Sequence, residues 1–221
     1  MNTVLRQIRT DLRLSIDGVV AASMRLKGMD YRMNFGVNLP RLKEISKKYR
    51  PDKALAEVLW KENVREMKIL ATMLYPADVM SIETAERWGT GIGNQEIREQ
   101  ACRNLFQEMP FADQLVDGWT KSEDEMIRMT GYWLFARLCI IRSETMDRVC
   151  KPLLLRQAVQ DLKSDSLLLR QSALNALRYH GRMSKENAAE VLHSVESLEG
   201  ANEMSKSEMI DLLRFEFEYT D

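Results

Sequence analysis

Residues 167–177 read LLLRQSALNAL, and five residues within this stretch, Leu169-Arg170-Gln171-Ser172-Ala173, decide the fold prediction. They consist of an apolar residue, a basic residue, two variable residues and a small residue. The same element occurs four times, as MKILA (67–71), IREQA (97–101), IRMTG (127–131) and LRQSA (169–173). Its basic residues are 30, 30 and 42 positions apart, about the length of two antiparallel helices with their turns. The sequence therefore predicts stacked helical pairs of the HEAT-like type.

The remaining sequence also favours helices. Apolar residues recur every three or four positions, as in Leu5, Ile8, Leu12 and Ile16, and no long segment alternates between apolar and polar residues. We expect an all-α fold, an α-α superhelix of HEAT-like (ARM-type) repeats with twelve or thirteen helices. A single domain over 1–221 is predicted, with an N-terminal helical cap (1–36), the repeats (37–200) and a C-terminal helix (201–221).

Composition excludes several classes of protein. The chain of 221 residues has three cysteines without a CxxC pair and two histidines, which argues against a disulfide framework and a zinc site. The glycines of segment 89–93 follow no strand and precede no Lys-Ser/Thr, so they do not form a phosphate-binding loop. No cofactor or metal is expected. Residues 1–16 carry a charge every few positions, so we predict no signal peptide or membrane span and a cytoplasmic location.

The net charge of −1 conceals an uneven distribution. Residues 1–75 carry a net charge of +7 and residues 76–221 a net charge of −8. A basic N-terminal third is suited to an anionic partner held on one face. The alternative is that these charges belong to solvated helix faces.

The basic residues of the repeated element are the first candidates for such a face. In a stacked array, Lys68, Arg98, Arg128 and Arg170 would lie at equivalent places along one ridge. On the concave side, this ridge would follow a phosphate backbone. The alternative is that each cation pairs with a carboxylate of the adjacent repeat and holds the stack together.

A second group of candidate residues lies on the helix predicted to begin at Pro40. It contains Arg41, Lys43, Lys47 and Lys48. Because Lys43 and Lys47 are one turn apart, they share a side of this helix, and we expect that side to contact phosphates.

Five stretches of the sequence have a pattern found in a known family, and they are Asn34–Tyr49, Leu59-Trp60, Arg65–Ala71, Trp119–Ser122 and Arg170–Arg178. They resemble the AlkD-like DNA alkylation repair family, which belongs to the HEAT-like repeat DNA glycosylase superfamily. The resemblance covers residues 18–195 and implies an all-helical solenoid whose basic concave face holds duplex DNA. Catalytic members of this family excise bulky or cationic alkylated purines without flipping the base into a pocket.

Excision of this kind implies particular residues. A cationic alkylated purine is already a good leaving group, so the enzyme must stabilise the positive charge that develops on the sugar. A carboxylate does this electrostatically, and aromatic faces add cation–π attraction of about 0.5–2 kcal/mol. Catalytic relatives have a Trp-Asp-x-x-Asp-like element on a middle repeat, an Arg on the next and a Trp-Ala-Leu-Arg element on a later one.

The sequence departs from these elements. Asn175 and Asn94 stand where the resemblance implies tryptophans, and Arg98 falls on the carboxylate position. Glu99, after a shift of one residue, or Glu96 would supply a catalytic carboxylate. Tryptophans elsewhere would supply an aromatic surface, and these are Trp88, Trp119 and Trp133.

The sequence thus predicts a DNA alkylation repair family protein that binds duplex or damaged DNA on a basic concave surface, with base excision lost or altered. If the chain is an enzyme, we expect a DNA glycosylase acting on alkylated purines. Its expected partner is double-stranded DNA, bound by a monomer. The alternative is a helical-repeat scaffold that binds proteins and not DNA, in which the cations of the ridge are paired with carboxylates.

Overall fold

The computed structural model describes residues 2–29, 31–199 and 203–218, with the side chains of 203–205 left aside. Within these ranges it contains thirteen α-helices, three short 3-10 helices and no strand, which confirms the predicted all-α class. The 3-10 helices are Ala77–Val79, Phe106–Glu108 and Glu144–Arg148. The α-helices are α1 (Asn2–Leu14), α2 (Gly18–Leu26), α3 (Leu39–Ser46), α4 (Lys53–Lys61), α5 (Arg65–Leu74), α6 (Ile82–Thr90), α7 (Gln95–Asn104), α8 (Ala112–Trp119), α9 (Glu125–Ile140), α10 (Lys151–Asp161), α11 (Leu167–Gly181), α12 (Lys185–Glu196) and α13 (Glu203–Phe217).

The helices begin where the local sequence can satisfy their first backbone N–H groups. Pro40 and Pro152 lie in the first turn of α3 and α10, where a missing N–H costs nothing. Elsewhere an Asp, Asn or Ser side chain precedes the helix and accepts a hydrogen bond from an N–H of the first turn. These capping residues are Asp17, Asn38, Asp52, Asn94, Asp124, Ser166 and Ser184.

The described residues form two compact units, and the division falls within α6. The first unit comprises described residues of Met1–Ala85 and Ile92–Met109, and the second those of Glu86–Gly91 and Pro110–Asp221. The predicted cap contains α1 and α2, and the predicted C-terminal helix corresponds to α13. Of this predicted helix, residues 201–202 and 219–221 lie outside the described residues.

Each unit contains helices packed in pairs. In the first unit α3, α5 and α7 pack in sequence, and α4 packs against α5. In the second unit α9, α11 and α13 pack in sequence, α8 packs against α9, and α10 and α12 pack against α11. Within each unit, the second helix of a pair therefore contacts the second helix of the next pair, as expected for helical repeats.

The small residue of the repeated element lies where these helices approach each other closely. Ala71, Ala101 and Ala173 have no exposed surface. Gly131 of α9 faces the end of α8, and a Cβ atom placed on it would be 2.8 Å from the Thr120 backbone nitrogen. Only glycine therefore permits this packing of α8 and α9.

Candidate nucleic-acid interface

The basic residues of the repeated element occupy one position in the helical pairs. Lys68, Arg98, Arg128 and Arg170 are each the fourth residue of their helices, α5, α7, α9 and α11. Lys206 is likewise the fourth residue of α13, although the sequence analysis did not single it out. The spacing in the sequence thus reflects a shared structural position.

Four of these cations donate to a backbone carbonyl at or just beyond the carboxyl end of the preceding helix. Lys68 Nζ lies 2.8 Å from the Trp60 carbonyl oxygen, and Arg128 lies 2.7 Å from that of Ser122. Arg170 donates to the Ser164 carbonyl, and Lys206 lies 3.0 Å from that of Leu198. The carbonyls at a helix end lack partners within the helix. We call this arrangement the cation–carbonyl contact.

Further contacts surround three of these cations. Arg128 Nε lies 2.9 Å from the Asp161 carboxylate, which also accepts a hydrogen bond from the Tyr132 hydroxyl at 2.6 Å. Arg98 has no exposed surface and donates to the Gln95 side-chain oxygen. Burial lowers the pKa of Lys68, whose ammonium group lies 4.7 Å from the centre of the Trp60 ring.

The basic residues of the predicted ridge therefore form contacts with other groups of the protein itself. Arg128 has the carboxylate partner that the alternative interpretation expects. Lys68 and Arg170 instead contact backbone carbonyls. These contacts give the cations at these positions a structural role that does not require binding to a phosphate.

A groove in the first unit is lined by a different set of cations. It has a volume of about 480 Å³ and lies between α3, α5 and α7. The exposed cations Lys43, Lys47 and Arg103 line it, and none of them has a carboxylate partner among the described residues. We call this the basic groove. It is lined by Leu39, Pro40, Lys43, Ser46, Lys47, Met73, Gln100, Arg103 and Asn104.

Two amide side chains add hydrogen-bonding groups to the basic groove. Asn104 donates to the Thr72 hydroxyl at 2.9 Å and to the Gln100 side-chain oxygen at 3.2 Å. The amide nitrogen of Gln100 has no acceptor within the described part of the chain. The basic groove therefore presents three positive charges and an amide donor, and no carboxylate lines it.

The other two basic residues predicted on or beside α3 are paired. Arg41 contacts Glu44 at 2.7 Å and the Ser15 hydroxyl at 3.1 Å. Lys48 lies 3.0 Å from Asp11 of α1. Lys43 and Lys47 line the same groove, so the two side chains lie on one side of α3.

Arg65 and Glu66 form a buried ion network that the sequence analysis missed. The side chain of Glu66 has no exposed surface and that of Arg65 is 2% exposed. Glu66 accepts hydrogen bonds from Arg65 at 2.9 Å and from the backbone N–H groups of Phe35 and Val37 at 3.0 and 3.3 Å. The network thus fixes the segment that leads into α3. An Arg-Glu pair on a helix is too common in sequences to have identified it.

This network also engages one candidate catalytic carboxylate. Arg65 donates to both oxygens of Glu96, at 2.6 and 2.7 Å. Although burial opposes a positive charge, these contacts with Glu96 raise the pKa of Arg65. The other candidate, Glu99, is half-buried and accepts a hydrogen bond from Gln95 at 3.0 Å.

The predicted aromatic surface is largely inside the protein. Trp88 is fully buried and Trp119 is 4% exposed, and a Cβ atom on Gly89 would lie 3.2 Å from the Trp119 ring. Trp133 is half-buried. Trp88 and Trp119 therefore fill the core of the second unit, and neither presents a face to a ligand.

Metal-binding clusters, disulfides and membrane-spanning helices are all absent from the described residues. No group of three or more His, Cys, Asp or Glu side chains among the described residues is arranged to hold a metal ion. The three cysteines, Cys102, Cys139 and Cys150, are free. In the described ranges, no helix combines the length and the apolar character that crossing a membrane requires.

Comparisons with known proteins identify one matching family and two similar solved structures. A family model described as "DNA alkylation repair enzyme" matches residues 8–208. A solved structure described as "a new family of proteins related to the HEAT-like repeat DNA glycosylases with affinity for branched DNA structures" is 14% identical, with a TM-score of 0.77 over 97% of this chain and 95% of that chain. A designed armadillo repeat protein has a TM-score of 0.46 at 12% identity, over 96% of this chain and 98% of its own. No curated protein matches the chain significantly. The first structural similarity confirms the predicted class of HEAT-like repeats.

Proposed function

Since the chain belongs to the DNA alkylation repair enzyme family, we propose that it binds DNA and that the basic groove of the first unit contacts the phosphate backbone. The observation that carries this proposal is the set of three exposed cations, Lys43, Lys47 and Arg103, that share a groove without a carboxylate partner in the described residues. A surface for phosphates requires cations that are not already engaged within the protein.

The chemistry of the basic groove suits a DNA backbone. Lys43 and Lys47 supply ammonium charges for phosphate oxygens, and Arg103 supplies a planar guanidinium group that can hold one phosphate through two hydrogen bonds. The Gln100 amide provides a further donor. Because these contacts carry no sequence information, we expect affinity for DNA without sequence preference.

The proposal includes loss or alteration of base excision. Both oxygens of Glu96 are held by Arg65, so this carboxylate is already engaged in an ion pair. Asn94 and Asn175 occupy positions at which the family resemblance implies tryptophans. A carboxylate and aromatic faces available to a cationic sugar are the groups that excision requires.

A cytoplasmic location is part of the same proposal, because the three cysteines are free thiols.

The binding surface is tested by the double substitution Lys43→Glu/Lys47→Glu. We expect the Kd for duplex DNA to rise about tenfold or more, and the slope of log K against log salt to become shallower by about 2, because two phosphate contacts are lost. Fluorescence anisotropy at several salt concentrations measures both quantities. Intact, abasic and three-way-junction DNA are compared, since the similar solved structure is described as having affinity for branched DNA.

The matched control is Lys53→Glu/Lys61→Glu, which changes the charge equally at two exposed positions at the ends of α4, outside the groove. Equal effects of the two double variants would contradict a specific role for the basic groove. If the unsubstituted protein binds none of the three DNAs at low salt, the proposal is wrong and the protein scaffold becomes the better interpretation.

Loss of excision is tested separately. We expect purified protein to release no more 7-methylguanine from alkylated duplex DNA than a buffer control does, because Glu96 is paired and two expected indoles are replaced. Chromatography of the released bases measures this outcome. Release of 7-methylguanine by the unsubstituted protein would contradict the prediction. If this release disappeared in the Glu99→Gln variant, Glu99 would be identified as the catalytic carboxylate.

A further inference from the structure

A second set of cations in the first unit lies outside the basic groove. Arg6, Arg9 and Arg13 are separated by three and four residues, so they lie along one face of α1. These three residues border a depression of about 380 Å³. Arg9 and Arg13 also line an adjoining cavity of about 230 Å³ together with Arg32. We call these four residues the arginine face.

Most of this positive charge is not used within the first unit. Arg9 pairs with Glu62 at 2.9 Å. Arg6, Arg13 and Arg32 are exposed and have no carboxylate partner in the ranges that the structure describes. Asp11, the acidic residue of α1, contacts Lys48 and Tyr49. Among the described residues, the arginine face therefore keeps an excess of three positive charges.

The arginine face and the basic groove lie on opposite sides of α3. Arg41 of α3 contacts Ser15, just after α1, whereas Lys43 lines the groove. Two residues correspond to about 200° around a helix with 3.6 residues per turn, so α1 lies against the side of α3 that faces away from the groove. No residue lines both the basic groove and either arginine depression.

This placement determines what can occupy both surfaces. A helix with its side chains is about 10 Å thick, and duplex DNA is stiff over about 150 base pairs. A duplex seated in the basic groove therefore does not bend around α3 to reach α1. A DNA junction has arms that diverge, so a second arm can pass along the other side of the helix.

We propose that the arginine face binds the phosphate backbone of a second arm when the basic groove holds the first arm of a branched DNA. The inference rests on the proposed function and adds the DNA structure that the protein prefers. Arg6 and Arg13 are about 10 Å apart along the helix axis, so each can contact a different phosphate of one strand. Guanidinium groups suit this role because each can hold a phosphate through two hydrogen bonds.

The experiment compares a three-way junction with a linear duplex as long as two of its arms. The test variant is Arg6→Glu/Arg13→Glu, which leaves the Arg9–Glu62 pair intact, and the control is Lys53→Glu/Lys61→Glu with the same change of charge. We expect the test variant to raise the Kd for the junction about tenfold and to leave the Kd for the duplex at the value of the control. Anisotropy titrations at one low salt concentration measure both constants.

Each other result overturns the inference in a recognisable way. Equal weakening of junction and duplex would mean that the arginine face contacts the same duplex as the groove. A junction affinity equal to that of the control would mean that the arginine face does not bind DNA. With either of these two results, the proposed function would still hold if Lys43→Glu/Lys47→Glu weakened binding of both the junction and the duplex. If no DNA binds the unsubstituted protein, the proposed function and this inference fail together.

A neutral variant distinguishes lost contacts from damage to the fold. Arg6→Gln/Arg13→Gln removes the charges without adding carboxylates and keeps long side chains on α1. We expect it to weaken junction binding less than the glutamate variant does, in the same direction, with an unchanged circular dichroism spectrum. An unchanged junction affinity in this variant, with its spectrum intact, would contradict phosphate contacts by Arg6 and Arg13.

Discussion

Replacement of Glu66 by alanine is expected to lower the free energy of unfolding by about 3–5 kcal/mol, because it leaves the buried charge of Arg65 with one partner fewer. It also deprives the N–H groups of Phe35 and Val37 of their acceptor, and a buried donor without a partner is costly. Chemical denaturation followed by circular dichroism measures the change in stability.

The control for this prediction is Glu44→Ala. Glu44 also pairs with an arginine, Arg41 at 2.7 Å, but the two side chains are 62% and 44% exposed. Exposed pairs contribute no more than about 1 kcal/mol. If Glu66→Ala costs no more than Glu44→Ala, burial of the network does not determine its contribution. We expect the double variant Arg65→Met/Glu66→Ala to be less destabilised than the sum of the single changes, because the two residues interact directly.

Replacement of Gly131 by valine is expected to cost about 3 kcal/mol of stability, because the added atoms overlap the end of α8. A Cβ atom at this position would lie 2.8 Å from the Thr120 nitrogen and 3.0 Å from the Trp119 carbonyl carbon. Both are backbone atoms, so neither moves away by a change of rotamer. The same denaturation measurement checks this prediction, and we expect Gly131→Ala to have a smaller effect in the same direction.

Gly118 offers a matched control within α8. It is a helical glycine like Gly131, but apart from its chain neighbours and the backbone of its own helix, no atom lies within 4 Å of the place that its Cβ would occupy. Because valine has a slightly higher helix propensity than glycine, we expect Gly118→Val to change stability by less than about 0.5 kcal/mol. Similar losses of stability for the two valine variants would mean that the effect comes from placing valine in a helix. That result would contradict the close approach of α8 and α9.

The fold was predictable because its signals are local. Apolar spacing and the positions of Pro40 and Pro152 depend on residues within one or two turns, and the structure places both prolines in first turns of helices. The repeated element was predictable for the same reason, since its cation occupies the fourth position of each second helix. The side of α3 that carries Lys43 and Lys47 also followed from helical periodicity.

The candidate site was predictable only in part because it depends on partners that are distant in the chain. Arg103 joins Lys43 and Lys47 through the packing of α7 beside α5 and α5 beside α3, which no local pattern indicates. Glu96 was a catalytic candidate because of its residue type, whereas its pairing with Arg65, 31 residues earlier, is not visible in the local sequence. Trp88 and Trp119 were expected on a surface, but burial of their large apolar area places them in the core.

The cation–carbonyl contact has a consequence for how the chain reaches this structure. Each such contact joins residues only six or eight positions apart, so an αα-hairpin can close its own turn before distant segments arrive. Interactions of low contact order form quickly because little loop entropy is lost. We therefore expect each hairpin to fold early and largely independently of the others. We also expect the gain or loss of a whole hairpin during evolution to disturb the fold less than an insertion or deletion within one.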